Sequence, residues 1–314
     1  MMPFTRRAFS SLAAVAAMAV VFGVEGAKAQ ASGDGPLEVV ATTGMIADAA
    51  ARVGGDLVEV QALMGPGVDP HAYRQTRSDI VAMTRADLVL WHGLYLEAQL
   101  EDFMQDLARN RPVVAVAESV PQDLLLGHDD YPDKFDPHVW ITPSLWTHVV
   151  AGVRDALIDV RPDDADIFNA NATAYLAEID RLAAYQSGVL SSVPPEARVL
   201  LTAHDAFNYF GDRYGFEVGG LQGISTETEA STADVQELAS FIAEQEIPAI
   251  FVESSVPQRN VEAVQAAVRS QGHEVVIGGE LFSDAMGDDG TFEGTYIGMV
   301  THNIDTIVSA LLGK

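Results

Sequence analysis

The chain has 314 residues, no cysteine, 18 Lys and Arg against 45 Asp and Glu, and a formal charge of −27. That length holds one large or two ordinary domains, and 48% apolar residues supply a core, which excludes disorder as the main state. A surface so negative repels a polyanion, so nucleic acid is not an expected partner; without cysteine any metal has to be held by nitrogen and oxygen, and a lipid-modified amino-terminal cysteine is excluded.

Arg6 and Arg7 precede an apolar run from Leu12 to Val24, and Ala27-Lys28-Ala29 offers the small-x-small pattern that a signal peptidase cuts. The arrangement predicts a secretory signal over residues 1–29, removed after Ala29. Its apolar run rises only about 20 Å as a helix, too short to span hydrocarbon. The order Thr5-Arg6-Arg7-Ala8-Phe9 also approximates a twin-arginine signal, so both export routes stay open. Cleavage would remove Arg6, Arg7, Lys28 and Glu25 and take the charge to −29. The expected destination is the periplasm.

From Leu37 the chain alternates short β-rich runs with longer helical patterns. Leu37–Thr42, Val58–Met64, Leu88–Trp91 and Val113–Val116 read as strands, and the alternation predicts a mostly parallel sheet covered on both faces. Pro162, Asp163, Asp164 and Asp166 then mark a helix start. Phe168, Ala172, Tyr175, Ile179, Leu182 and Tyr185 recur at threes and fours, with no Gly or Pro before Gly188. Strands return at Val199–Thr202, Val218–Leu221, Ala249–Val252 and Val275–Ile277, with helices at Ala206–Tyr214, Thr232–Gln245 and Arg259–Ser270. Ile297, Val300, Ile304, Ile307 and Leu311 mark a closing amphipathic helix. The expected fold class is α/β: two α/β lobes over residues 36–160 and 193–314, each a mostly parallel sheet flanked by helices, joined by one long rigid helix over 161–192.

Two hexapeptides share one pattern. Val68-Asp69-Pro70-His71-Ala72-Tyr73 and Phe135-Asp136-Pro137-His138-Val139-Trp140 both read apolar-Asp-Pro-His-apolar-aromatic. Proline fixes its own φ and pushes the preceding Asp toward extended geometry, so the imidazole leaves a stiff corner in a set direction, which suits a metal ligand. For Asp69 and Asp136 two roles stay open: holding the second ring nitrogen of the neighbouring histidine, or capping the turn. His204 follows the strand from Val199, and Asp284 lies just beyond the last strand, both at carboxyl ends where open α/β sheets form ligand crevices. His71, His138, His204 and Asp284 make a closed nitrogen and oxygen set suited to Zn²⁺ and tolerable for Mn²⁺.

The other histidines read as structural. His92 is a strand-end core or cleft residue, His148 and His302 sit in helical patterns, and His273 lies in a loop. His128 opens a short polar loop that either collects metal transiently or is a solvated connection. Tyr73, Trp140, Phe207 and Phe282 either wall a metal cavity or belong to the core.

Taken together, DPHAY, DPHVW, TAHDAFNYFGDRYGF around His204, GLQGISTETEAS over 220–231 and GGELFSDAMG around Asp284 resemble the cluster A-I substrate-binding proteins of zinc and manganese ABC importers. The resemblance implies two lobes joined by one rigid helix, metal held between them by His71, His138, His204 and Asp284, and delivery to a membrane permease. In members resembling manganese carriers the third ligand is typically glutamate; His204 therefore tilts the expectation to zinc, since imidazole is the softer donor. Many zinc members also carry a long His-rich acidic loop before the second ligand, whereas the stretch from Leu126 to Asp136 is short and holds only His128.

The expected work is thus binding without chemistry, by a monomer that serves a permease and takes metal from a periplasmic metallochaperone if one exists. Release is expected to follow a lobe shift on the permease, with the loop from Gly223 to Ala230 either moving or simply leading into the helix at Thr232. The competing readings are a manganese carrier of the same family, a secreted zinc hydrolase with Glu227 or Glu253 as general base, and an organic-solute carrier of similar build.

Overall fold

The computed structural model describes residues 35–128 and 131–313, so the expected signal over 1–29 lies outside the described residues. In the amino-terminal lobe, β1 (Leu37–Ala41), β2 (Val58–Ala62), β3 (Leu88–Trp91) and β4 (Val113–Ala115) form one parallel sheet in the order β2-β1-β3-β4. All four residues of β3 are apolar and buried, as an inner strand covered on both faces requires, whereas the edge strand β2 has no fully buried residue. The crossovers are α1 (Gly44–Gly54), α2 (Arg77–Arg85) and α3 (Glu101–Leu107). Thr43 caps α1, and Thr76 with Asp79 forms a reciprocal capping box at the start of α2.

Beyond β4 come α4 (Pro143–Val160), with proline at its first position, and α5 (Ala165–Leu190). The 26 residues of α5 rise about 39 Å. The helix runs through Gly188 and ends two residues later, and Phe168, Ala172, Tyr175, Ile179 and Leu182 form its buried face. Tyr185 departs from that stripe: it is exposed and its hydroxyl donates to Asp305, while Gln186 takes the buried place and accepts from the Tyr214 hydroxyl at 3.0 Å.

The carboxyl-terminal lobe contains β5 (Val199–His204), α6 (Asn208–Tyr214), β6 (Glu217–Gln222), α7 (Thr232–Glu244), β7 (Ala249–Glu253), α8 (Arg259–Ser270), β8 (Val276–Leu281) and α9 (Tyr296–Leu311). Its strands form two parallel pairs, β5-β6 and β7-β8, and not one continuous sheet. At the site end of β5 the His204 backbone N–H donates to the Glu253 carboxylate at 2.8 Å, so a side chain takes the place of a ladder partner there. Gly220 of β6 is required by close approach, since a Cβ would lie 2.4 Å from the backbone of His204 and Asp205.

One apolar core runs from α1 and β1 through α4, α5 and α9 to Phe207, Phe210 and Phe251. A second fills the carboxyl-terminal lobe around Leu201, Ile242, Ile250 and Val264, and a third lies on the other face of the first sheet around Met83, Val89 and Met104. Helix α9 ties the carboxyl-terminal segment back to the amino-terminal lobe: Tyr296 stacks on Trp146 at 5.1 Å and its hydroxyl donates to the Trp140 carbonyl at 2.9 Å. No described helix is long and apolar enough to cross a membrane.

Candidate metal centre

Five carboxyl-terminal strand ends feed one point. His204 is the last residue of β5, Glu253 the last of β7, and Asp284 lies three residues past β8. His71 sits in the loop after β2, and His138 in the segment between β4 and α4. The ligand atoms of His71, His138, His204 and Asp284 all lie within 4.8 Å of one another, and all four residues are buried.

The spacing is specific. His138 Nε2 lies 3.3 Å from His71 Nε2, 3.3 Å from His204 Nε2 and 3.4 Å from Asp284 Oδ1; His204 Nε2 lies 3.3 Å from Asp284 Oδ2. A tetrahedral ion with bonds of about 2.0–2.1 Å spaces its ligand atoms about 3.3–3.4 Å apart. Asp284 Oδ1 is buried without a hydrogen-bond partner among the described residues, which leaves a full acceptor aimed at this centre.

The outer contacts decide which way the imidazoles face. Asp136 Oδ1 accepts both the backbone N–H of His138 at 2.9 Å and its ring Nδ1–H at 2.7 Å. Glu253 likewise accepts the backbone N–H and the ring Nδ1–H of His204, and also the Ser283 hydroxyl at 2.6 Å. With Nδ1–H held by a carboxylate, each ring turns its Nε2 inward, the atom that would bind an ion once its own proton is lost. Asp69 behaves differently. It accepts the backbone N–H groups of His71 at 2.9 Å and Ala72 at 3.4 Å, and no hydrogen bond runs from it to the imidazole among the described residues. Of the two roles open for these aspartates, Asp136 fills both and Asp69 only the turn cap.

Several supporting residues carry no pattern that marks them in the sequence. His92 Nε2–H donates to the Pro137 carbonyl at 2.7 Å, bracing the corner from behind; Glu97, buried, accepts the His92 and Gly93 N–H groups at 2.8 and 3.1 Å and the Thr42 hydroxyl at 2.6 Å. Asn208 donates to Asp136 Oδ2 at 3.2 Å, and the Tyr209 hydroxyl donates to the Asp136 carbonyl at 2.7 Å. The Trp140 indole N–H donates to the Ser283 carbonyl at 2.6 Å, and Ser255 donates to Asp284 Oδ2 at 3.3 Å. Of the aromatic candidates, Trp140 does wall the centre, its ring 5.1 Å from that of His138. Tyr73 turns away to donate to Asp79, Phe207 packs on Phe210, and Phe282 packs on His302.

Charge is arranged unevenly. Burial holds His71 well below the ordinary histidine range, against the pull of Asp284. Burial also opposes charge on His138, but Asp136 and Asp284 outweigh it and raise its pKa to about 9. His204 goes up in the same way, with Asp284 and Glu253 overriding burial. Burial would raise Asp284, yet His204 and His138 hold it well below the carboxylate range. His92 is pushed down to about 3, chiefly by burial, and stays a neutral donor to Pro137.

Of the accessory candidates, Asp69, Asp136 and Glu253 touch the ligand residues, and Glu227 and His128 lie away from the cluster. Glu227 is not among the converging groups: it is on the exposed β6–α7 loop, where Gln99 donates to it, so it is not placed as a general base. Glu253 is committed to His204 and Ser283 and is not free to take a proton from water at the centre. His128 is buried against Tyr131, with ring centroids 4.8 Å apart, and lies outside the four-residue cluster, so it is not a solvated connection.

A sequence profile described as the zinc-uptake complex component A periplasmic family matches residues 39–310. The chain belongs to this family. It is similar to the zinc-binding protein TroA of Treponema pallidum, 52% identical over 281 residues, covering 90% of this chain and 91% of the relative. It is also 45% identical over 280 residues to the manganese-binding lipoprotein MntA of Bacillus subtilis, covering 89% and 91%. The solved structure of the periplasmic zinc-binding protein TroA superposes with a TM-score of 0.86 over 88% of this chain and 99% of the other. The family member described here is therefore an extracytoplasmic metal-binding component of an ABC importer, working with membrane permease and ATPase subunits, and its relatives are binding proteins, not enzymes.

Proposed function

We propose that this protein captures zinc between its lobes, over residues 36–160 and 193–314 with 161–192 between them, and hands it to the permease. His71, His138, His204 and Asp284 are the ligands in this reading. The observation that carries it is the convergence of three inward Nε2 atoms and a carboxylate at 3.3–3.4 Å, the spacing of a tetrahedral site that a small dication fills once the inward ring protons are displaced. Four protein ligands leave no open coordination position for an activated water, which argues against the hydrolase. Manganese is the second reading, favoured by the similarity to MntA; three imidazoles favour the softer ion. Export to the periplasm by a signal cut after Ala29, through the general or twin-arginine route, action as a monomer, and loading from a metallochaperone belong to the same proposal.

Competitive titration of the chelator-stripped protein with Zn²⁺ and Mn²⁺, repeated on His204→Ala, tests it. Zinc should win at equal concentration, with one ion per chain, and the variant should lose most of that preference. Displacement of zinc by comparable manganese would overturn the metal assignment.

A further inference from the structure

Of the three imidazoles, His71 is the one that no carboxylate orients through Nδ1 among the described residues, yet Asp69 beside it is not idle. The second oxygen of Asp69 accepts the Thr226 hydroxyl at 2.6 Å, a contact from the β6–α7 loop of the opposite lobe. One residue further on, Glu227 accepts from Gln99, again across the lobes. The loop is also braced from its own side: Gln222 donates to the Thr226 and Thr228 carbonyls at 3.4 and 3.0 Å, and Asp205 N–H donates to the Gly223 carbonyl at 3.3 Å. The capping box of α7 uses Ser231 and Asp234, so residues 223–230 are not consumed in starting that helix.

We infer that residues 223–230 are a strap whose Thr226 acts as a positioning residue for His71, holding the turn at Asp69 and thereby setting how long a bound ion is retained. The inference rests on the zinc reading above and adds to it the element that governs release. The physical chain is short. Thr226 fixes Asp69, Asp69 fixes the His71 and Ala72 N–H groups, and those fix the corner from which the imidazole projects. Asp69 is part-buried, so losing its hydroxyl partner leaves a poorly solvated carboxylate oxygen that rearranges the turn. The other two imidazoles are held without the strap, by Asp136 and Glu253. Opening the strap therefore frees one ligand first and leaves three, turning a closed centre into one that a competing ligand can enter.

Stopped-flow transfer of zinc from the loaded full chain to an excess of chelator tests this on wild type, Thr226→Val, Thr226→Ser and Gln99→Ala. Thr226→Val keeps the shape and deletes the donor; release should quicken about 3- to 10-fold while the zinc stoichiometry stays at one, and the association rate should change less. Thr226→Ser should restore the wild-type rate, and Gln99→Ala should quicken release by a smaller factor. A Gln99→Cys, Glu227→Cys double variant, clean in a chain without other cysteines, should release zinc more slowly once bridged by a short bismaleimide. Thr226→Val releasing zinc at the wild-type rate, or bridging without effect, overturns the strap and leaves the four-ligand reading standing. A wild-type chain that takes up no zinc, or one that keeps its affinity after His138→Ala, overturns both.

Discussion

The two Asp-Pro-His corners have the same six-residue pattern and different mechanical lives. At the His138 corner, Asp136 and His138 are wholly buried and the aspartate grips the ring; His92, Asn208, Tyr209 and Trp140 add hydrogen bonds on every side. At the His71 corner the aspartate is part-buried, reaches only the backbone, and is tethered by a threonine on a loop of the opposite lobe. A repeated motif thus fixes the direction of a side chain, while the surroundings decide how firmly it is held. One corner is built as an anchor and the other as a joint, which suits a carrier that has to hold an ion and then give it up.

The sharpest way to break this contrast is to truncate each aspartate. Asp136→Ala frees the His138 ring and should weaken zinc binding toward 100-fold, the upper end for a residue that orients a ligand, whereas Asp69→Ala should stay near 10-fold; competition against a chromophoric chelator reads both. Equal losses would show that the corners are equivalent. Protons give the next largest effect. Because His138 is raised to about 9 and His204 is raised as well, the ion has to displace protons from both rings below that range, so zinc affinity should rise with pH, by more than about tenfold per unit, into the region of pH 9. His71, held low by burial, contributes nothing to that slope, and in NMR its ring in the ion-free protein should stay neutral while His138 titrates. A pH profile that flattens near 6.5 would contradict this.

Smaller effects probe stability, one at the anchor and one away from it. Trp140→Phe leaves the buried Ser283 carbonyl without its donor and should cost about 1–3 kcal/mol in denaturant unfolding. Tyr185→Phe, which removes an exposed hydroxyl contact to Asp305, should cost less than about 1 kcal/mol in the same measurement.

Much of this was legible in the sequence because periodicity and strand ends are local properties. β3 and α8 span the stretches read as Leu88–Trp91 and Arg259–Ser270, and β8 is the longest departure, reaching Leu281 because its two glycines hide the strand pattern. The single sheet expected in the second lobe is two pairs, since pairing between β5 and β7 depends on which groups meet at their edges and not on either strand's composition. Around the centre, Asp-Pro-His was visible because proline leaves a signature. Ser283, Asn208 and Tyr209 were invisible in their roles, because an orienting hydrogen bond needs only a polar atom at the right place; Glu253 was legible as an accessory candidate, but not as the partner of His204, 49 residues away. His128 misled for the opposite reason: polar neighbours suggest solvent, but the ring folds back onto Tyr131.

The most direct test is a crystal structure of the zinc-loaded protein with anomalous data collected across the zinc edge. One peak should lie about 2.0–2.2 Å from Nε2 of His71, His138 and His204 and from a carboxylate oxygen of Asp284. A peak elsewhere, or an ion completed by water because one of these four side chains points away, would contradict the account.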